Sequence, residues 1–169
     1  MARVRSFEPL VGHQPLILIL GSMPGIASLQ AVQYYAHPRN AFWPIMASLF
    51  GIDPTASYTQ RVDELSRHPL ILWDTLQACH RPGSLDSNID AKTARANDFP
   101  GLLKRFPEIR AILFNGATSE KYFKQLVLPN LPESLEVALL RMPSTSPAHA
   151  GMSFEQKLSA WRQLLDFID

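Results

Sequence analysis

The sequence predicts an α/β fold, three layers deep, with a mostly parallel four-stranded sheet between two layers of helices. Three observations carry that prediction. Four short runs are aliphatic without polar alternation, as strands buried on both faces must be. Helical patterns lie between them, and strands alternating with helices build a parallel sheet through right-handed crossovers. Gly, Pro or Asp bounds the runs, which is where strands stop and turns begin.

The first strand is Leu16 to Leu20, stopped by Gly21. A helix over Phe42 to Phe50 follows Asn40, a good cap residue, with Pro44 in the first turn where its missing N–H is tolerated. Tyr58 to His68 is helical, polar on one side with Val62 and Leu65 on the other. Leu70 to Trp73 is the second strand, and Asn97 to Phe106 a helix turning Leu102, Leu103 and Phe106 toward a core. Ala111 to Phe114 is the third strand, Ser119 to Val127 a helix carrying Tyr122, Phe123 and Leu126, and Val137 to Leu140 the fourth strand. The last helix starts at Ser153, has Gln156 at capping-box spacing, and runs through Leu158, Trp161, Leu164 and Leu165. Ligands of open α/β sheets bind at the carboxyl ends of the strands. Function is therefore expected in the loops 21–40, 74–87, 115–119 and 141–152.

With 169 residues, 46% of them hydrophobic, residues 1–169 read as one domain able to bury a core without staples. Cys79 is the single cysteine, so no internal disulfide is possible, and no Cys/His pair has zinc-ligand spacing. The expectation is a metal-free, cofactor-free site in a reducing, cytoplasmic compartment. The longest aliphatic run, Leu16 to Leu20, is far too short to span a bilayer. No sustained heptads are present, which reads as a monomer. A net charge of +1 argues against holding nucleic acid by bulk electrostatics, although Arg39, Arg81 and Arg141 lie in or beside the candidate loops.

Two motifs fall at strand ends. Gly21-Ser22-Met23-Pro24-Gly25 follows the first strand and leads to Tyr34-Tyr35-Ala36-His37-Pro38-Arg39-Asn40-Ala41-Phe42-Trp43. Met142-Pro143-Ser144-Thr145-Ser146-Pro147 follows the fourth. The N–H groups of Met23 and Gly25 suit a base or a phosphate, since glycine permits close approach; a plain turn is the rival reading. Asn40 is a helix cap on residue type alone, yet its amide can also hold a water at any pH near neutrality. Asp74 is either a turn residue or an acceptor for a ring N–H. Ser144, Thr145 and Ser146, between Pro143 and Pro147, are either a polar turn or a hydroxyl-rich grip on phosphates.

The order GSMPG, YYAHPRNAFW, LILWD, HRPGSLDSNI, ILFNG, MPSTSPAHA resembles the uracil-DNA glycosylase superfamily over nearly the whole chain, most closely its hypoxanthine-DNA glycosylase branch. The resemblance implies a monofunctional DNA glycosylase that flips a deaminated base, foremost hypoxanthine, out of double-stranded or single-stranded DNA. In a prokaryote such an enzyme would be cytoplasmic and nucleoid-associated. The residue before the turn proline, usually an Asp or Asn that activates water, is here Met23. The resemblance passes that role to Asn40. It also implies that Gly21, Met23, Pro24 and Gly25 line the base site, Tyr35 stacks on the extruded base, and Asp74 reads its edge. Asn115, in a Phe-Asn-Gly resembling mismatch-specific relatives, would shape the pocket. The late loop, with Ser144, Thr145, Ser146 and His149, would grip the DNA strand and fill the hole left by the base; Met142 stands where the uracil-specific branch carries His. On residue type, Arg39, Arg81 and His149 are either backbone or gap-filling contacts to DNA or, more in keeping with each taken singly, solvated side chains; the motif makes His37 a loop-setting residue. Only five Lys occur, none in the motif loops, which disfavours a Schiff-base lyase step. The alternatives are a uracil or thymine mismatch glycosylase, a lesion sensor without catalysis, and a hydrolase of free nucleosides.

Overall fold

The structure, a computed structural model, describes residues 3–168. In chain order β1 is Arg3–Arg5, β2 Leu10–Val11, β3 Ile17–Gly21, α1 Ile26–Ala31, α2 Phe42–Phe50 and α3 Tyr58–Leu65. There follow β4 Leu70–Asp74, β5 Leu76–His80, β6 Asp90–Ala96, α4 Phe99–Arg105 and β7 Ala111–Asn115. The chain continues through α5 Ala117–Leu126, β8 Ala138–Met142 and α6 Phe154–Trp161, with a 3-10 extension over Arg162–Phe167.

The main sheet has the order β2-β4-β3-β7-β8. Its last four strands are parallel, and β2 pairs antiparallel with the outer edge of β4. Alternate side chains of a strand point to opposite faces. Ile17, Ile19, Leu70, Leu72, Ala111 and Leu113 accordingly pack with Phe42, Met46, Leu65 and Trp161 of α2, α3 and α6. Leu18, Leu20, Ile71, Trp73, Ile112 and Phe114 pack with Phe99, Leu102 and Phe123 of α4 and α5. The three expected layers are present, but the central sheet has five strands, not four.

A second sheet, β1-β5-β6, is antiparallel and was not expected. It occupies part of the segment read as the loop 74–87. Two register irregularities between β5 and β6 break its alternation, and β6 is a polar edge strand, so neither strand has the aliphatic run that marks a buried one. Behind this sheet Met23, Leu76, Cys79, Ile89, Ala94 and Tyr122 form a small third core. Helix boundaries otherwise differ from expectation by a few residues. The Ser153/Gln156 capping box is formed in both directions, at 3.2 and 2.9 Å. Pro44 stands in the first turn of α2, whose cap position is Ala41 rather than Asn40.

Strand order reverses between β3 and β7: the chain passes from β3 to β4 on one side, then returns to β7 on the other. Their carboxyl ends, Gly21 and Asn115, flank the crevice that such a reversal leaves open.

Candidate functional site

A cavity of about 600 Å³ opens at that crevice, walled by residues 21–28, 84–86, 115–118 and 144–149, with Tyr35, His37, Asn40 and Asp74 also on its lining. At its floor Gly21 leaves room that no other residue would. A Cβ there would lie 2.6 Å from Asp74 Oδ1 and 3.3 Å from Tyr35 Oη. Asp74 ends β4, is 4% exposed, and its Oδ2 has no hydrogen-bond partner. Burial, with the charge of Asp86 behind it and only partly offset by Arg81, pushes the carboxyl up to about 7. The Asn97 amide fixes the strand end by donating to the Asp74 carbonyl at 2.8 Å.

Tyr35 takes a left-handed backbone conformation, φ 56°. For a bulky residue that conformation is strained, and the surrounding structure must hold it. One ring face stacks on Phe42, with centroids 4.1 Å apart and 20° between planes. The hydroxyl is buried without a partner, and burial raises its pKa. Neighbouring Tyr34 is core material: its hydroxyl donates to the Glu8 carbonyl at 2.8 Å.

Asn40 is held by a chain of contacts from distant segments. Its Oδ1 accepts the Phe42 N–H at 2.9 Å, closing a side-chain turn just ahead of α2 rather than capping the helix. The Ala41 N–H donates to the Thr145 carbonyl at 2.9 Å. The Asn115 side chain in turn accepts the Thr145 N–H and donates to the Thr145 hydroxyl, both at 2.9 Å. Gly116, at φ 97°, brings β7 against the late loop; a Cβ there would meet Ser144 Cβ at 3.1 Å. Trp161 of α6 donates from Nε1 to the Pro143 carbonyl at 3.0 Å, and the half-turns of Ser144 and Ser146 stiffen the rest. His37 accepts the Arg39 N–H on Nδ1 at 3.1 Å, which sets the loop.

The side chain of Met23 is buried in the small core. Pro24 and Gly25 are tied to the 81–86 segment. Arg81 Nη2 donates to the Pro24 carbonyl and Nε to the Gly83 carbonyl, Ser84 Oγ accepts the Ile26 N–H at 2.8 Å, and Ser22 donates to Asp86 at 2.7 Å.

The structure thus brings Gly21, Met23, Pro24, Gly25, Tyr35, Asn40, Asp74, Asn115, Ser144, Thr145, Ser146 and His149 to one cavity. Two residues expected to face DNA are instead buried: Arg81 at 3% exposure, holding two loop carbonyls, and Thr145 at 1%, held by Asn115. Arg39 is exposed beside a smaller hollow shared with Asn40 and Lys157. Arg141 pairs with Glu120 at 2.6 Å, which removes it from any free basic face. Ser22, Ser84 and Asp86 escaped the sequence reading because their partners are distant in the chain; the only hint was a run of turn residues, Gly83-Ser84-Leu85-Asp86-Ser87. Among the described residues no three His, Cys, Asp or Glu side chains are grouped to hold a metal ion, and no helix is long and apolar enough to cross a membrane.

The family model described as "Uracil DNA glycosylase superfamily" matches residues 9–165. A Methanosarcina barkeri protein named hypoxanthine DNA glycosylase is 38% identical over 119 residues, 70% of this chain and 74% of the relative. A Methanosarcina acetivorans protein of the same name is 35% identical over the same shares. A solution NMR structure from Methanosarcina acetivorans, described as a candidate uracil DNA glycosylase, superposes with a TM-score of 0.76 at 30% identity, covering 97% of this chain and 99% of the other.

Proposed function

This chain belongs to the uracil DNA glycosylase superfamily and is a DNA N-glycosylase; from that premise we propose that it releases hypoxanthine from deoxyinosine in DNA. The observation that carries the proposal is Asn40 at the cavity wall, in the same cavity as a Met23 whose side chain is committed to a core.

Breaking an N-glycosidic bond leaves positive charge on the sugar and negative charge on the departing base, and needs a water aimed at C1′. Met23 has no group to orient that water. Asn40 has one: Oδ1 spends one lone pair on the Phe42 N–H and keeps the other for the water. Turn and catalysis are therefore one arrangement, because the bond to Phe42 fixes where the free lone pair points. The extruded base enters above Gly21. Asp74 meets its edge as an acceptor for N1–H, and Tyr35 offers the ring face that Phe42 does not cover. A flipped purine from a weak pair costs less to unstack than a paired one, which adds selectivity. The hydroxyls of Ser144 and Ser146 face the strand, while Thr145 and Asn115 place the loop. With the water as nucleophile, the product is an abasic site on an intact backbone.

The test is a single-turnover assay on duplexes carrying one deoxyinosine or one deoxyuridine, with wild type beside Asn40→Ala. Inosine excision is expected, falling about 10²- to 10³-fold in the variant while binding persists. Preference for uracil would move the chain to the mismatch branch, and no excision of either would leave a binding protein.

A further inference from the structure

A DNA strand is a row of negative charges, and a glycosylase must hold it while one base leaves the stack. The cavity that takes the base is poorly suited to those charges. Among the described residues its lining includes the carboxylates of Asp74 and Asp86 and neither Lys nor Arg. The smaller hollow beside it has the opposite character: Arg39 and Lys157 both line it, and no carboxylate does. Asn40 lies on the lining of both, so a group seated in the hollow is a neighbour of the side chain proposed to hold the water.

Lys157 is the unusual member. It is 6% exposed, and an ammonium so far out of water ordinarily has a carboxylate or several acceptors around it. Here Nζ makes one long contact, a donation to the Ser146 carbonyl at 3.4 Å, and neither Lys157 nor Arg39 belongs to an ion pair among the described residues. An ammonium has three hydrogens to donate, so two are left over. Burial lowers its pKa, as it does for a charge short of partners. Its position is nevertheless fixed. Trp161, one turn further along the same face of α6, donates to the Pro143 carbonyl, so the late loop is tied to that face at two points.

Resting on the glycosylase reading, we infer that this hollow is a phosphate subsite, in which Lys157 and Arg39 together take one phosphodiester group of the damaged strand next to the flipped nucleotide. A phosphate there supplies acceptor oxygens for the unused ammonium hydrogens and for the guanidinium. It also sets how far the sugar lies from Asn40. Contacts of this kind position a strand without reading its sequence.

The experiment measures, by fluorescence anisotropy, binding to duplexes whose deoxyinosine carries a 2′-fluorine that blocks cleavage, with the surrounding phosphates replaced one at a time by an uncharged methylphosphonate. Wild type is compared with Lys157→Met, which keeps the buried stem, with Arg39→Met at an exposed position, and with Lys124→Met, which removes a cation outside the hollow. One linkage is expected to weaken wild-type binding about 10-fold when neutralised. Each hollow variant should bind fully charged DNA about 10-fold more weakly and lose little more when that same linkage is neutralised, while Lys124→Met keeps the full cost. A lysine that only braced Ser146 would leave the cost of every linkage unchanged. The inference is overturned if either hollow variant, folded, keeps the full cost of every linkage, or if the two respond to different linkages. Wild type that excises neither inosine nor uracil from unmodified duplex would overturn the glycosylase reading, and the binding pattern would still decide this one.

Discussion

At the scale of single residues, Asp74 has the plainest consequence. Its carboxyl is pushed from 3.8 up to about 7 by burial first, then by Asp86. The folded state therefore holds the proton more tightly than the unfolded chain does. The resulting stability is full below the unfolded pKa and is lost as pH rises through the folded one. Urea unfolding should show stability falling by up to about 4 kcal/mol between roughly pH 4 and 7, and Asp74→Asn should flatten that slope; a slope unchanged by the substitution would mean another group titrates. Legibility in sequence was uneven at this scale. The place of Asn40 and Tyr35 on the cavity was legible because they sit inside an unusual motif. Thr145 was indistinguishable from the serines on either side, since nothing local says which of three adjacent hydroxyls Asn115 will bury. Arg81 was misjudged for the same reason: a lone Arg in a loop reads as exposed, and its acceptor lies 57 positions away at Pro24.

At the scale of elements, the four parallel strands were legible because burial on both faces demands unbroken aliphatic runs. β5 and β6 were not, because irregular pairing and an exposed edge leave no such demand. α1, only six residues and capped by Val32 at φ 53°, was hidden in what read as a loop. The junction of β7 and α5 turns on Gly116, where a side chain would be both strained and crowded by Ser144. Gly116→Ala should cost about 1–3 kcal/mol in stability and also slow excision, because the late loop it displaces holds Ala41. Gly51, also at positive φ but with open space around it, is the control: Gly51→Ala should lower the urea midpoint and leave the single-turnover rate alone. Equal kinetic effects from both would show that the junction has no special bearing on the site.

At the scale of the whole molecule, a net charge of +1 is spread so that little of it faces the cavity mouth. Arg81 is buried and Arg141 is paired, leaving Arg39 and His149 exposed near the site. Affinity for undamaged duplex should then fall gently with salt, with a log–log slope of about −2 to −4 if two to four phosphates are neutralised. Fluorescence anisotropy across a salt series measures it, and a slope near that of a strongly basic binder would reveal cationic contacts not recognised above. The α/β class and the position of the site were legible because topology alone places the crevice at the reversal between β3 and β7. How its walls are tied together was not, since those ties join segments distant in the chain, such as Ala41 and Thr145 or Ser22 and Asp86. That tie has a bearing on synthesis. Chains grow from the N-terminus, and domains settle as their parts emerge. Asn40 leaves the ribosome long before Thr145, and Trp161, which holds Pro143 in place, comes later still. A half-made chain carries Asn40 without the loop that Ala41 binds, so the cavity is assembled only with the last helix.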